Sequence, residues 1–250
     1  MAEQHRMTKQ DPVTNDLGVT TTKDVLRGAL SLIAKPPGRR VLDIGCGTGA
    51  VTRLLLRDGI EAFGIEPNAE LLAAARADTR RPAPPGRWIA GRAERLPIGG
   101  SSIDAVLFVN SLHHIRPDQQ VAALAEAARV LRPGGEVVVI EPVAEGSFFE
   151  LLRPLDDETE VRAAALRALD AAGRRFLRLV DAARFATFLA YATPEAVTEG
   201  FAEADPRRAR RIAPAIAEIN QRFWSLGEDQ ADGKRRFAQP MTLHRLQKPA

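Results

Sequence analysis

The most restrictive stretch of this 250-residue chain is Val41-Leu42-Asp43-Ile44-Gly45-Cys46-Gly47-Thr48-Gly49-Ala50-Val51: an apolar run, three alternating glycines, then residues that open a helix. Glycine turns tightly and lets a ligand approach the backbone with no Cβ in the way, while a helix start offers unpaired N–H groups. A ligand is therefore expected at this turn, although a glycine turn can also serve chain reversal alone. Gly45, Gly47 and Ala50 satisfy the dinucleotide spacing G-x-G-x-x-A, and Glu66 lies near the distance of a ribose-binding acid. The loop by itself leaves the ligand open. Asp43 weighs against a dinucleotide, because a carboxylate two residues before the first glycine repels a pyrophosphate and attracts the ammonium of an amino-acid moiety.

Strand and helix patterns alternate from residue 40 to 141. A strand over 40–44 leads to a helix near 50–57, and a strand over 62–65 ends at Glu66-Pro67-Asn68, where Pro67 suits the first turn of a helix over 69–77. The proline-rich run 79–86 reads as a surface connection. Further strands are expected at Trp88–Ala90, at Ile103–Val109, an almost unbroken apolar run, and at Glu136–Glu141. Between the last two, a helix starts at Pro117-Asp118 and is closed by Arg132-Pro133-Gly134-Gly135. Such alternation with short loops requires an α/β fold, a doubly wound parallel sheet with right-handed crossovers. Ligands of such sheets bind beyond the carboxyl ends of the strands, which collects Asp43, the glycine turn, Glu66, Ala93-Glu94, Asn110 to His114, and Glu141 at one edge.

The set Asp43-x-Gly45-x-Gly47-x-Gly49 resembles motif I of the class I S-adenosylmethionine (SAM) dependent methyltransferases, and the string LRPGGEVVVIEP over 131–142 is similar to the segment that closes their core. The resemblance covers roughly 22–142, is of the small-molecule, ubiquinone/menaquinone-methyltransferase-like type, and implies SAM as cofactor. It implies a cofactor site made of Asp43, Gly45, Cys46, Gly47 and Gly49, of Glu66 on the ribose with Pro67 beside it, and of Ala93, Glu94 and Asn110. Adenine would be held by backbone groups around Ala93 and Glu94, because Arg92 stands where the family often carries an acid. In the segment Ser111-Leu112-His113-His114, it implies His113 as a general base oriented by Glu141, with His114 as substitute. An imidazole, with an ordinary pKa of about 6.5, suits removal of a proton from a hydroxyl or amine. The implied sheet has seven mostly parallel strands with a final antiparallel strand over 239–246, and a helix over 22–34 folded across the cofactor.

On this reading residues 1–21 are a loose tail and 22–250 one domain, with 146–190 a helical lid that decides substrate choice. Acids at 156–160 suit the first turn of a helix bearing Val161, Ala165, Leu169 and Ala172. A strand is expected at 185–191, and a helix capped by Asp205-Pro206 carries Ala209, Ile212, Ala213, Ile216 and Ile219 on its apolar face.

Composition narrows the partners. The single cysteine, Cys46, excludes an intramolecular disulfide, and no run reaches the ~18 apolar residues of a membrane span, so a cytoplasmic location is expected. The net charge is only +3, and the cluster Arg207-Arg208-Arg210-Arg211 lacks an aromatic platform for bases, so it reads as a solvated helix face and nucleic acid is disfavoured. No His/Cys/Asp spacing suggests a metal site, and a homodimer is compatible with the chain. The expected activity is methyl transfer from SAM to an O or N atom of a small molecule. An RNA methyltransferase and a non-catalytic SAM-binding regulatory subunit are the alternatives.

Overall fold

The computed structural model describes residues 38–77, 87–204 and 206–250. The expected tail, the helix over 22–34 and the connection 79–86 lie outside the described residues.

The apolar runs form strands β1 (Arg40–Ile44), β2 (Glu61–Glu66), β3 (Trp88–Ala90), β4 (Ile103–Val109) and β5 (Leu131–Pro142), separated by helices α1 (Ala50–Arg57), α2 (Ala69–Ala77) and α3 (Gln120–Val130). Beyond them come α4 (Ser147–Leu152), α5 (Thr159–Arg175), β6 (Arg178–Tyr191), α6 (Pro194–Ala204), α7 (Ile212–Leu226), β7 (Glu228–Asp229) and β8 (Arg235–Gln247). The sheet order is β3-β2-β1-β4-β5-β8-β6, with β7 paired to β8. Strands β1 to β5 pair in parallel, and β8 runs antiparallel between β5 and β6. Eight strands are present rather than seven, because the two residues of β7 add a short pair at the end of β8. Strand order reverses between β1 and β4, which sets the crevice beyond the carboxyl ends of these two strands.

Each face of the sheet is covered, as continuous apolar strands demand. Phe108, Val106 and Val139 pack with Leu124 and Ala127 of α3 and with Ala165 and Leu169 of α5. On the other face, Val41, Leu107 and Ile140 pack with Leu55 of α1 and with Met241. A third cluster joins Leu151, Val197, Phe201, Ile219, Phe223 and Phe237, binding α4, α6 and α7 together over the end of β8.

Three expectations change here. The segment 146–190, expected to be helical, is helical only as far as Arg175, since 178–191 is a 14-residue strand hydrogen-bonded to β8, and α6 and α7 join the cover instead. The helix after Pro206 begins as a 3₁₀ turn, Pro206–Arg211, and its buried face is Ala215, Ile219 and Phe223, leaving Ala209 and Ala213 exposed. Arg208 points inward, because the acids Asp156 and Glu158 face it from across the cover.

Two loop glycines separate folding from binding. Gly49, at φ +86°, caps α1, and a Cβ there would sit 2.4 Å from the Trp88 ring. Gly47, at φ +54°, faces open space. Gly49→Ala should cost about 2–4 kcal/mol in denaturant unfolding, against about 1 kcal/mol for Gly47→Ala. Equal losses would remove the packing role of Gly49.

Candidate functional site

The crevice beyond β1 and β4 opens into a cleft of about 840 Å³. Its floor is the glycine turn: Gly45 and Gly47 both have positive φ, and a Cβ on Gly45 would lie 2.6 Å from that of Ser111. Only glycine lets β1 and β4 approach this closely. At the tip of β2 the Glu66 carboxylate is buried and fixed before any ligand arrives, with Gly47 N–H donating to Oε2 and Asn68 N–H to Oε1, both at 2.9 Å. A carboxylate held this way keeps free lone pairs for two vicinal hydroxyls. Pro67, Ala93, Glu94 and Asn110 line the same cleft, so seven of the ten expected cofactor positions share one surface.

The other three do not. Asp43 lies beneath the turn with its Oδ2 accepting from Thr52 Oγ1 at 2.6 Å, tying the end of β1 to α1. Burial raises its pKa to about 6, partly offset by the Thr52 hydrogen bonds. Cys46 turns its thiol towards Gly64, and burial pushes that thiol up, away from the reactive thiolate. Gly49 meets Trp88 and Arg53 rather than the cleft.

A second cleft of about 310 Å³ adjoins the first. Phe148, Phe149, Leu152, Leu189, Phe201 and Met241 form its walls, and Asn110, His114 and Arg208 line both clefts. His113 faces only the second. The imidazole is 4% exposed, and its Nδ1 bonds Glu141 Oε2. The other oxygen of Glu141 accepts from Ser111 N–H at 2.9 Å and Leu112 N–H at 2.8 Å. With Nδ1 committed to Glu141, Nε2 is the ring nitrogen left for another partner. The Glu158 carboxylate lies 3.9 Å from that Nε2. Burial opposes its charge, but His113 and Arg162 together pull its pKa below the usual range. His114, its ring tilted 49° to that of His113 with centroids 4.0 Å apart, is brought down to about 4 by burial and by its neighbour, and so is neutral at pH 7.

Asn110 takes a left-handed conformation, φ +51°, at the mouth between the clefts. Its N–H donates to Ile140 O at 2.9 Å, so β5 stabilises this unusual backbone. Glu158, Arg162 and Arg208 were absent from the expected site. The acidic run 156–160 has an ordinary explanation in the helix start that follows, and the arginine run reads as a surface face. His113, His114 and Glu158 place ligand atoms within 4.8 Å of one another, a metal-like set that sequence spacing did not reveal. Arg162, 2.8 Å from Glu158, and Arg208, 3.7 Å from it, already supply positive charge there and oppose a cation.

Residues 41–135 match the methyltransferase domain family. An uncharacterized methyltransferase of Mycobacterium bovis is 36% identical over 112 residues, 45% of this chain and 43% of that one. A demethylmenaquinone methyltransferase of Beutenbergia cavernae is 36% identical over 115 residues, covering 46% and 45%. The chain thus spans less than half the length of these curated relatives. Among solved structures, the YcgJ protein of Bacillus subtilis superposes with TM-score 0.61 at 20% identity, over 90% of this chain and 98% of that one. The [4+2]-cyclase SpnF superposes with TM-score 0.60 at 22% identity, over 95% and 85%. At such identities these structures speak for the fold alone.

The buried Asp43 carboxylate has a pH signature. Its pKa is higher folded than unfolded, so its contribution to stability is full below about 4 and is lost as pH rises through about 6. Melting of the ligand-free protein should show the wild type losing stability relative to Asp43→Asn between pH 4 and 6. A constant difference would place the Asp43 carboxylate in water.

Proposed function

We propose that the protein is a class I SAM-dependent methyltransferase, with residues 41–135 in its Rossmann-like core, and that it transfers a methyl group from SAM to an O or N atom of a small molecule. The observation that carries this reading is the Glu141–His113 pair, which holds an imidazole by its Nδ1 at the wall of a largely apolar cleft joined to the larger one.

The larger cleft suits the cofactor. Glu66 would accept from the ribose hydroxyls, and the open space over Gly47 would admit the amino-acid end. Backbone at Ala93 and Glu94 would border the adenine, with the Glu94 side chain paired to Arg92. Bound SAM supplies an electrophilic methyl on a sulfonium, an already activated donor, so much of the catalytic work left to the protein is positioning.

The residues of the smaller cleft perform that work. Its aromatic walls exclude water and orient an apolar acceptor. His113 Nε2 accepts the proton of the attacking hydroxyl or amine, and Glu141, fixed by two backbone N–H groups, stabilises the imidazolium that results. Glu158, 3.9 Å from the same nitrogen, adds to that stabilisation. His114, neutral and lower in basicity, lines the passage between the clefts. A small-molecule acceptor accords with the demethylmenaquinone methyltransferase relatives, and the apolar walls favour it over RNA.

Three measurements test this. S-adenosylhomocysteine should raise the melting temperature and NAD should not, and Glu66→Ala should weaken its calorimetric affinity at least about tenfold. The opposite ranking of the two ligands, or unchanged affinity, would refute the cofactor assignment. Among hydroxylated and amine acceptors offered with methyl-labelled SAM, turnover of any that reacts should fall about 10²- to 10⁴-fold in His113→Ala, with cofactor affinity intact. Wild-type turnover in that variant would reduce His113 to a wall.

A further inference from the structure

Five charged side chains meet at the rim of the smaller cleft: Asp156 and Glu158 ahead of α5, Arg162 within it, and Arg208 and Arg211 of the 3₁₀ turn before α7. Four are committed to one another. Arg162 donates to Glu158 Oε2 through Nη2 at 2.8 Å and Nε at 3.0 Å, and through Nη1 to Val143 O at 2.9 Å. Arg211 lies 2.7 Å from Asp156. Arg208 is the surplus cation. Its approaches to Asp156 and Glu158, 3.6 and 3.7 Å, are attractive yet longer than a good N–H···O bond. The guanidinium is steadied by the Phe201 ring, 5.3 Å away, and it borders both clefts beside Asn110 and His114.

We propose that Arg208 docks a carboxylate of the methyl acceptor, so that the acceptor is a compact, apolar hydroxy acid of one or two rings. The inference rests on the methyltransferase reading and adds the substrate class. A cavity of about 310 Å³ is at the small end for ligand sites, and its aromatic and aliphatic walls suit a flat apolar body. The reacting hydroxyl then lies at His113 Nε2 and the anion at Arg208, both on the cleft's polar margin. A guanidinium presents paired donors that match a planar carboxylate. Asp156 and Glu158, both within 4 Å of the same guanidinium, oppose a dianionic phosphate more than a singly charged carboxylate.

The test is calorimetric titration of the full chain, saturated with S-adenosylhomocysteine, with 1-hydroxy-2-naphthoate, its neutral carboxamide and 1-naphthol. The wild type should bind the carboxylate at least about tenfold more tightly than the amide, as a charge-assisted bond implies. In Arg208→Met that preference should fall below about threefold and in Arg208→Lys return in part, with cofactor affinity unchanged in both. Equal binding of acid and amide by the wild type, a preference that survives in Arg208→Met, or no binding of any probe to the cofactor-loaded protein would overturn the proposal. So would loss of cofactor binding in Arg208→Met, which would put the guanidinium on the cofactor. Failure of the wild type to bind S-adenosylhomocysteine would instead defeat the methyltransferase reading beneath it.

Discussion

The rest of the site depends on one buried carboxylate. Glu141 ends the central strand β5 with its side chain 2% exposed, a placement that costs several kcal/mol unless every lone pair finds a donor. Its donors are the N–H groups of Ser111 and Leu112 and the His113 ring, all from the turn that follows β4. Satisfying the charge therefore shapes the turn. The same turn sends Ser111 Oγ to Ile44 O at 2.7 Å, closing β4 against β1 where the glycine loop begins. The requirement that fixes the imidazole in one cleft thus also fixes the floor of the other.

Much of this frame is readable from residue order, because parallel strands buried on both faces admit little besides branched and aromatic side chains. The runs at 40–44, 61–66 and 103–109 announce themselves for that reason, and Glu66 and Glu141 are legible as acids at strand ends. Asp43 shows the limit of such reading. Position two before a glycine turn says that a carboxylate is near the ligand, but which way it faces depends on Thr52, nine residues on, whose hydroxyl captures it from α1.

The smaller cleft is far less legible. It is assembled from α4, the approach to α5, β6, the turn before α7 and β8, segments spread over about a hundred residues with no shared motif. Strand β6 escapes partly because its first residues, Arg178 to Arg184, are exposed at a sheet edge and lack an alternating apolar pattern. Asp156, Glu158 and Arg208 each have an adequate local explanation as helix-start acids or a surface cation. Only tertiary packing turns them towards one another.

The same division bears on chemistry. A fold that also superposes on a protein named a [4+2]-cyclase does not by itself specify methyl transfer. At the junction of the two clefts this chain carries a polar set: an imidazole bound through Nδ1 to Glu141, a second carboxylate 3.9 Å from its Nε2, and a guanidinium that borders both clefts. Such a set has little use in binding a cofactor alone, since His113 faces only the smaller cleft. A purely structural Glu141 would be as well served by an asparagine or a water in place of the imidazole. The burial of a titratable ring against that carboxylate, at the wall of a largely apolar cavity, is the arrangement on which the proposed proton removal from an acceptor rests.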